Sequence, residues 1–549
     1  MHDLEQLFRE KIVSGLQRKT LTKCSEWSTK YRYVGEPFPG KFSFKYHPWQ
    51  RAMHDSTAQQ NVGQKAAQVG FTDTVLNISF FNIDIKRKDV LYVLPARSDA
   101  SDFTASRFDP ALEQSEHLSR IFTDVNNVGH KRAGSANLYI RGSRARAGLK
   151  SIPVGGLVLD EVAEMTQDNI PLAFERMSGQ REWWSWMIST PTVDNENINA
   201  YYKDSSQNQF YFRCPSCSKF ITFKFPESLI ITAEDINDDR IADSKYVCTE
   251  CQATLPHKNK PEFLQNNEWV PTFHRDIAGW HINQMYSSAE AGKPAVIARK
   301  YLKSLTSKSD EQEFYNSSLG VTHAVEGARV TQHQINKCKK DYFKLDYSPP
   351  NRIITMGVDQ GRWIHYEIDS WIPGIGSDLA VSSKCDLIQE GKVREFIELD
   401  ALMRQYHVHF CVIDAQPERR AATEFARRFR GHVRLCFYPE GLNPKQIHLS
   451  DAGDEPTVSV DRTTWLDTSL GRFRSESINL PRNVSMEYQE QIQVPVRVYS
   501  KDKHGNPIGR YADGNKDDHF AHARNYSEIA LPLAVSISRS ENISSIKWR

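Results

Sequence analysis

Short apolar runs ending in small or charged residues recur along this 549-residue chain. Those at 91–94, 138–141, 157–160 and 186–189 read as buried strands, and the stretches between them carry helical spacing. Alternation of this kind predicts a mostly parallel α/β sheet. Thr72–Ile85 is the helix expected after the first loop. A second pattern begins beyond the linker Tyr347-Ser348-Pro349-Pro350. Apolar strands at 353–361 and 410–416 each bring an acid near their end, and Asn515–Tyr526 opens a closing helix. Between the patterns, 262–340 reads as helical and connective, with Trp269, Trp280, Tyr286, Tyr301, Phe314 and Tyr315 mostly in the core.

The expected divisions are a helical segment (1–45), an α/β core (46–205), a cysteine-bearing insertion (206–260), a helical connector (261–348) and a second α/β domain (349–549). Such a length is too great for one hydrophobic core. Hydrophobic residues at 39% and charged residues at 25% are ordinary for a soluble globular chain. The net charge of +2, from 70 basic and 68 acidic residues, excludes a uniformly basic nucleic-acid coat but not local basic grooves. There is no apolar run long enough for a membrane span, and Met1-His2-Asp3-Leu4 lacks a signal core, so a cytosolic protein without a membrane partner is expected.

The stretch that leads into the first expected helix, Lys65-Ala66-Ala67-Gln68-Val69-Gly70-Phe71-Thr72-Asp73-Thr74, carries the first candidate chemistry. A phosphate-binding loop reads G-x-x-x-x-G-K-[ST], and its amides, lysine and hydroxyl cradle phosphates and Mg²⁺. Gly70 and Thr72 hold the second-glycine and hydroxyl positions, Phe71 replaces the lysine, and Lys65 replaces the first glycine. The cation stands at the front of the loop, from where its long side chain still reaches β/γ-phosphates. Downstream, Gly155-Gly156-Leu157-Val158-Leu159-Asp160-Glu161 delivers two acids at a strand end. Asp160 suits Mg²⁺ and Glu161 suits a general base toward water. Ser189 and Thr190 end a third strand, where motor ATPases couple the γ-phosphate state to movement. Three elements in this order predict an ATPase. Upstream, Tyr46-His47-Pro48-Trp49-Gln50 offers an aromatic and an amide to adenine, or simply a surface turn into a helix. Arg141, Arg144 and Arg146 lie in a glycine-broken basic loop suited to an arginine finger, a DNA backbone grip or a solvated turn.

Cys214-x-x-Cys217 and Cys248-x-x-Cys251 have the spacing of two knuckles around a structural Zn²⁺, with a hairpin such as Phe220–Phe225 between them. In the last domain Asp359 and Asp414 end strands, and Asp517-Asp518-His519 starts the closing helix. Acids so placed fit an RNase H-like nuclease holding one or two Mg²⁺ or Mn²⁺ ions.

Taken together these residues resemble the large terminase subunit of tailed bacteriophages, in particular the lambda-type family. The resemblance rests on Lys65, Gly70, Phe71 and Thr72, on Asp160-Glu161, on Ser189-Thr190-Pro191, on the cysteine pairs, and on Asp359 and Asp414, and covers roughly 45–535. It implies an ATP-driven packaging motor that moves double-stranded DNA into an empty capsid, and a nuclease that cuts the concatemer. A small terminase subunit, the portal protein and a homo-oligomeric ring in the host cytoplasm are implied partners and setting. Two departures stand out. Asp73 occupies a position that tends toward a base in the family, and His522 replaces a later acid, so Asp518 is taken as the third ligand with Asp517 and His519 as alternatives. An RNase H-fold transposase or integrase with a zinc ribbon, and a non-enzymatic zinc-stabilised nucleic-acid adaptor, are the competing readings.

Overall fold

The computed structural model describes Glu5 and residues 21–123, 125–150, 152–374, 382–439, 442–443, 446–501, 507–512 and 516–540. Apart from Glu5, the first 20 residues of the helical segment expected over 1–45 lie outside them. The rest of that segment holds one helix, Cys24–Tyr31, and a ladder of Tyr33–Val34 with Gly40–Lys41. Two compact units form, Met1–Val325 with Tyr499–Ile508, and Glu326–Val498 with Gly509–Arg549.

The first unit is built on an eight-stranded sheet. Its order is Ala278–Ile282, Gln60–Lys65, Trp184–Ser189, Gly156–Asp160, Val90–Leu94, Ala136–Gly142, His130–Ala133 and Val125–Asn127. The first six strands are parallel, and the last two add an antiparallel edge. Val90–Leu94 and Gly156–Asp160 are buried at every position, as the central strands of a parallel sheet must be when both faces are covered. The helix expected over Thr72–Ile85 runs Phe71–Phe81 and continues as a π-helical turn, Asn82–Lys86.

Two expectations change here. The 261–348 connector is not wholly helical. Asn267–Val270 pairs with Gln209–Arg213 of the cysteine-bearing insertion, and Ala278–Ile282 lies parallel to Gln60–Lys65 at the sheet edge. A short apolar run has no period long enough to separate strand from buried helix, and the deciding partner lies more than 200 positions earlier in the chain. The 220–225 hairpin is also absent. Phe220–Ile221 pairs back with Phe212–Arg213, and Leu229–Ile230 pairs with Lys245–Tyr246.

The second unit holds a mixed sheet ordered His448–Ser450, Thr457–Ser459, Val433–Phe437, Phe410–Asp414, Ile353–Asp359, Ile364–Ile372, Lys384–Val393 and Ile478–Asn479. Three long strands form an antiparallel meander, and Phe410–Asp414 joins Ile353–Asp359 in parallel, so Asp359 and Asp414 end adjacent strands on the same side. The closing helix, His519–Ser540, packs on this centre. Gly357 makes the approach possible: a Cβ there would lie 1.9 Å from the Ala523 carbonyl oxygen and 2.2 Å from the Ser527 nitrogen.

Beneath the helix lies a fully buried charge cluster. Arg472 donates to both Glu528 oxygens at 2.6 Å, and Arg524 binds Glu367, Asp369 and Glu528. Both guanidinium groups stack on Trp371, at 4.8 and 5.2 Å. Three carboxyl groups face two cations. Burial, then the Asp369 charge, holds the Glu367 carboxyl well above the usual carboxylate range.

Candidate functional site

Lys65 is the last residue of its strand and is 6% exposed, its stem buried and its ammonium reaching over the sheet's end. Its Nζ donates to Glu161 Oε1 at 3.0 Å. The strands carrying the two residues are not neighbours, since Trp184–Ser189 runs between them. Ser189, at the end of that intervening strand, donates from Oγ to Glu161 Oε2 at 3.4 Å. Glu161 itself stands in the left-handed region, φ 62°, which turns its side chain off the strand direction. Thr190 follows, half-buried.

Asp160 is 3% exposed and accepts a 2.6 Å hydrogen bond from the Tyr92 hydroxyl on the next strand. Burial and then the Glu161 charge push its carboxyl up to about 6, against the pull of Lys65, Tyr92 and the Thr72 hydroxyl. Its second oxygen, Oδ1, is buried without a hydrogen-bond partner. A buried acceptor left unsatisfied is unfavourable, and a hydrated cation would satisfy it.

The loop itself is held from outside. The Ala66 amide donates to the Ile282 carbonyl at 2.9 Å and that of Ala67 to the Ser317 carbonyl at 2.7 Å. Gly320 packs so closely that a Cβ would lie 2.6 Å from the Ala66 nitrogen. Those two amides are therefore occupied, and donors to an anion come from later in the loop and from the first turn of the helix, whose N–H groups have no intrahelical acceptor. Gly70 turns the chain at φ 80° before the helix. Phe71, expected among the cofactor contacts, instead has its ring in the core. It is 1% exposed and packs against Gly63, where a Cβ would lie 2.6 Å from two ring carbons. An aromatic ring in the usual lysine position serves as an anchor worth about 1.5–3 kcal/mol of burial, and only its backbone can face a ligand.

Gln50 and Trp49 are buried rather than in a surface turn, and both hold the loop: Gln50 Nε2 donates to the Gly70 carbonyl at 2.7 Å and Trp49 Nε1 to that of Val69 at 3.1 Å. Gln50 Oε1 is buried and unpartnered. It borders a cavity of about 290 Å³ lined also by Phe38, Tyr46, His47 and Asp73. Of the basic loop, Arg141 is tied to the Gly129 and Ile140 carbonyls, whereas Arg144 and Arg146 are exposed.

In the second unit Asp359 is 6% exposed and bonds through Oδ2 to His519 Nδ1 at 2.7 Å. Asp414 is pushed up to about 6, first by burial and then by the Asp359 charge. Asp518 precedes the closing helix and lies 3.4 Å from His522. Burial opposes ionisation there, but the His522 hydrogen bond and the charges of His522, Arg462 and His519 leave Asp518 below the usual range. The imidazole of His519 thus meets Asp359, while Asp518 is engaged with the next turn of its own helix.

Cys214, Cys217, Cys248 and Cys251 place four Sγ atoms within 4.8 Å of one another. Cys214–Cys251 and Cys217–Cys248 are each 3.9 Å apart. A tetrahedron of thiolates about 2.3 Å from Zn²⁺ has edges of about 3.8 Å, so the donors fit that ion. Among the described residues no other set of three or more ligating groups converges this tightly; Asp359, Asp414 and Asp518 do not.

Sequence reasoning missed Tyr92, which holds Asp160, and Arg32, a buried cation 3.7 Å from Asp73 in the loop's helix. Each lies far along the chain from its partner, and neither belongs to a motif.

Residues 36–269 match the family described as phage terminase large subunit gpA, ATPase domain, and 277–416 match terminase large subunit gpA, endonuclease domain. The second match begins at the sheet-edge strand of the first unit, ahead of the structural boundary at Glu326. The terminase large subunit of Escherichia phage lambda is 21% identical over 373 residues, which is 60% of this chain and 57% of that protein. The chain thus aligns with little more than half the length of that relative. In fold, the HK97 bacteriophage large terminase superposes with a TM-score of 0.51 at 10% identity, covering 92% of this chain and 98% of that one.

Proposed function

Because this chain belongs to the phage terminase large-subunit family and carries both its ATPase and its endonuclease domain, we propose that it is the motor and cutter of viral DNA packaging. ATP hydrolysis in the first unit drives double-stranded DNA into an empty capsid, and the second unit cleaves the concatemer. The observation that carries the reading is the meeting of Lys65 with Glu161 at 3.0 Å, beside a buried Asp160 oxygen that lacks a partner.

In this reading Lys65 and the loop amides hold the β- and γ-phosphates, and Asp160 with Thr72 holds Mg²⁺ through its water shell. Glu161 orients and deprotonates the attacking water, and Ser189 and Thr190 sense the γ-phosphate. The cavity beside Gln50 takes the adenine, with Oε1 accepting from its exocyclic amine and Tyr46 offering a ring face. Arg144 or Arg146 reaches a neighbouring copy as a finger. The four cysteines hold a structural Zn²⁺, which closes the insertion and takes no part in the reaction.

In the second unit Asp359 and Asp414 would hold Mg²⁺ or Mn²⁺, with Asp518 joining as the third ligand once it turns from His522; the ion would supply charge for an in-line attack on a phosphodiester. The chain works with a small terminase subunit, on the portal, as a ring of copies in the host cytoplasm. Near-neutral net charge suits a motor that must release DNA as well as grip it. A recombinase has no use for the Lys65–Glu161–Asp160 group, which disfavours the transposase alternative.

The test is ATP hydrolysis and plasmid cleavage measured on one preparation with Mg²⁺ and Mn²⁺ compared. Lys65→Ala is expected to abolish DNA-stimulated hydrolysis and Asp359→Ala to abolish cleavage. Full hydrolysis in the Lys65 variant would overturn the nucleotide site.

A further inference from the structure

The end of the second sheet that carries Asp359 and Asp414 also carries a group of cations. The turn Gln360–Trp363 links the strand of Asp359 to Ile364–Ile372, and Asp359 faces His365 across that ladder. The next strand pairs Ile364 with Val393, so Arg394 leaves the sheet beside Trp363. Its guanidinium lies 4.5 Å from the centre of the Trp363 ring, with the Lys392 ammonium at 5.7 Å.

What sets Arg362 and Arg394 apart is their place: the first lies in the turn that follows Asp359, and the second is stacked on Trp363 at the same end of the sheet. The most basic helix of the unit is neutralised, whereas Lys340, Lys384 and Arg404 are, like these two, exposed without an ion pair among the described residues. On helix Arg419–Arg428 and just beyond it, Arg419 pairs with Glu455, Arg420 with Glu424, Arg427 with Asp454, Arg428 with Asp400 and Arg430 with Asp454. That richer basic stretch is a solvated ion-pair surface. Arg362 and Arg394 are exposed, and among the described residues neither has a carboxylate within ion-pair distance. The nearby Glu398 accepts from the backbone amides of Arg394 and Glu395, at 2.9 Å each, and feels the Arg394 charge without reaching ion-pair distance. Lys392 is held by Glu487 at 2.8 Å.

We propose that Arg362 and Arg394, the latter braced on Trp363, are the phosphate grip that positions duplex DNA for the Asp359–Asp414 centre. The proposal rests on the nuclease reading above and adds residues that it does not contain. Strands lie about 4.8 Å apart, so Arg394, two strands from Asp359, stands roughly 10 Å from the metal-binding end. With a rise of about 3.4 Å per nucleotide along a strand, that reaches a phosphate two to three nucleotides from the bond cut. A guanidinium stacked on an aromatic ring keeps its in-plane donors free and loses less side-chain freedom when a phosphate arrives. These are positioning residues, since neither touches the metal ligands.

The experiment is steady-state cleavage of a short labelled duplex by the full chain with Mn²⁺, at several salt concentrations. Arg394→Ala and Arg362→Ala are each expected to raise KM about threefold to tenfold with kcat unchanged. Each should also lower the log–log salt slope of kcat/KM by about 0.9. Arg394→Lys keeps the charge but not the planar stack, so the slope returns while KM stays raised. Trp363→Ala, which removes the stack and keeps the charge, should act like Arg394→Lys, and should add little to Arg394→Ala. Arg420→Ala, on the ion-paired helix, serves as the unchanged control, and melting curves confirm that each variant folds. If the wild-type chain cuts and the Arg362→Ala/Arg394→Ala pair leaves KM and slope untouched, the grip is overturned while the nuclease stands. If the wild-type chain does not cut, the nuclease reading fails and the grip fails with it.

Discussion

The ammonium of Lys65 and the carboxylate of Glu161 neutralise one another across an intervening strand, 3.0 Å apart. In the proposed nucleotide site an incoming triphosphate would compete with Glu161 for the Lys65 ammonium. The two residues should therefore fail differently. Lys65→Ala is expected to weaken ATP binding as well as turnover. Glu161→Gln should still bind ATP and lower kcat by about 10²–10⁴, the usual contribution of a general base. Titration with a fluorescent nucleotide beside a hydrolysis assay separates them; equal losses of affinity in both variants would contradict the assignment.

Gly357→Ala tests the docking of the closing helix. The added methyl meets the backbone at Ala523 and Ser527, which cannot yield as a flexible side chain would. A loss of roughly 1–3 kcal/mol is expected from overpacking, read by thermal melting. Cleavage should fall with it, because the displaced helix carries His519 and follows Asp518 directly. ATP hydrolysis should persist.

The tetrathiolate predicts about one Zn²⁺ per chain, released by a thiol-reactive mercurial and counted with a colorimetric chelator. Cys217→Ser should lower the metal content and the melting temperature together. A chain that melts unchanged after its metal is stripped would exclude a structural role.

The buried Glu367 gives a pH prediction with a definite sign. Burial raises its folded-state value above the ordinary carboxylate value, so between the two the folded chain holds a proton that the unfolded chain has lost. Stability from this group is fully present below about 4.5 and drains away as pH rises toward the folded value. Glu367→Gln keeps the shape of the side chain without the titration. It should flatten the fall in melting temperature as pH rises above the ordinary carboxylate range, with the larger gain at the higher pH. A steeper fall in the variant would mean that Glu367 is ionised in place.

How far the sequence could be read depended on whether partners were near one another in the chain. Lys65, Asp160-Glu161 and the two cysteine pairs sit in local motifs, each with its own spacing, so they could be found one at a time. Tyr92 and Arg32 act through single long-range contacts that leave no local pattern. Phe71 misled because it occupies a motif position, although Gly63 eight residues earlier marks where its ring packs. The sheet-edge strand Ala278–Ile282 was hidden in a stretch of aromatics whose only distinguishing feature is its parallel partner, Gln60–Lys65.

That edge strand has a consequence for how the chain is made. The acceptors that fix the amides of Ala66 and Ala67 belong to Ile282 and Ser317, and Gly320 seals the contact. A ribosome must therefore finish the whole cysteine-bearing insertion before the phosphate loop can take its shape. A nascent chain halted ahead of Ala278 would expose a bare strand edge at Gln60–Lys65, open to pairing with another such chain.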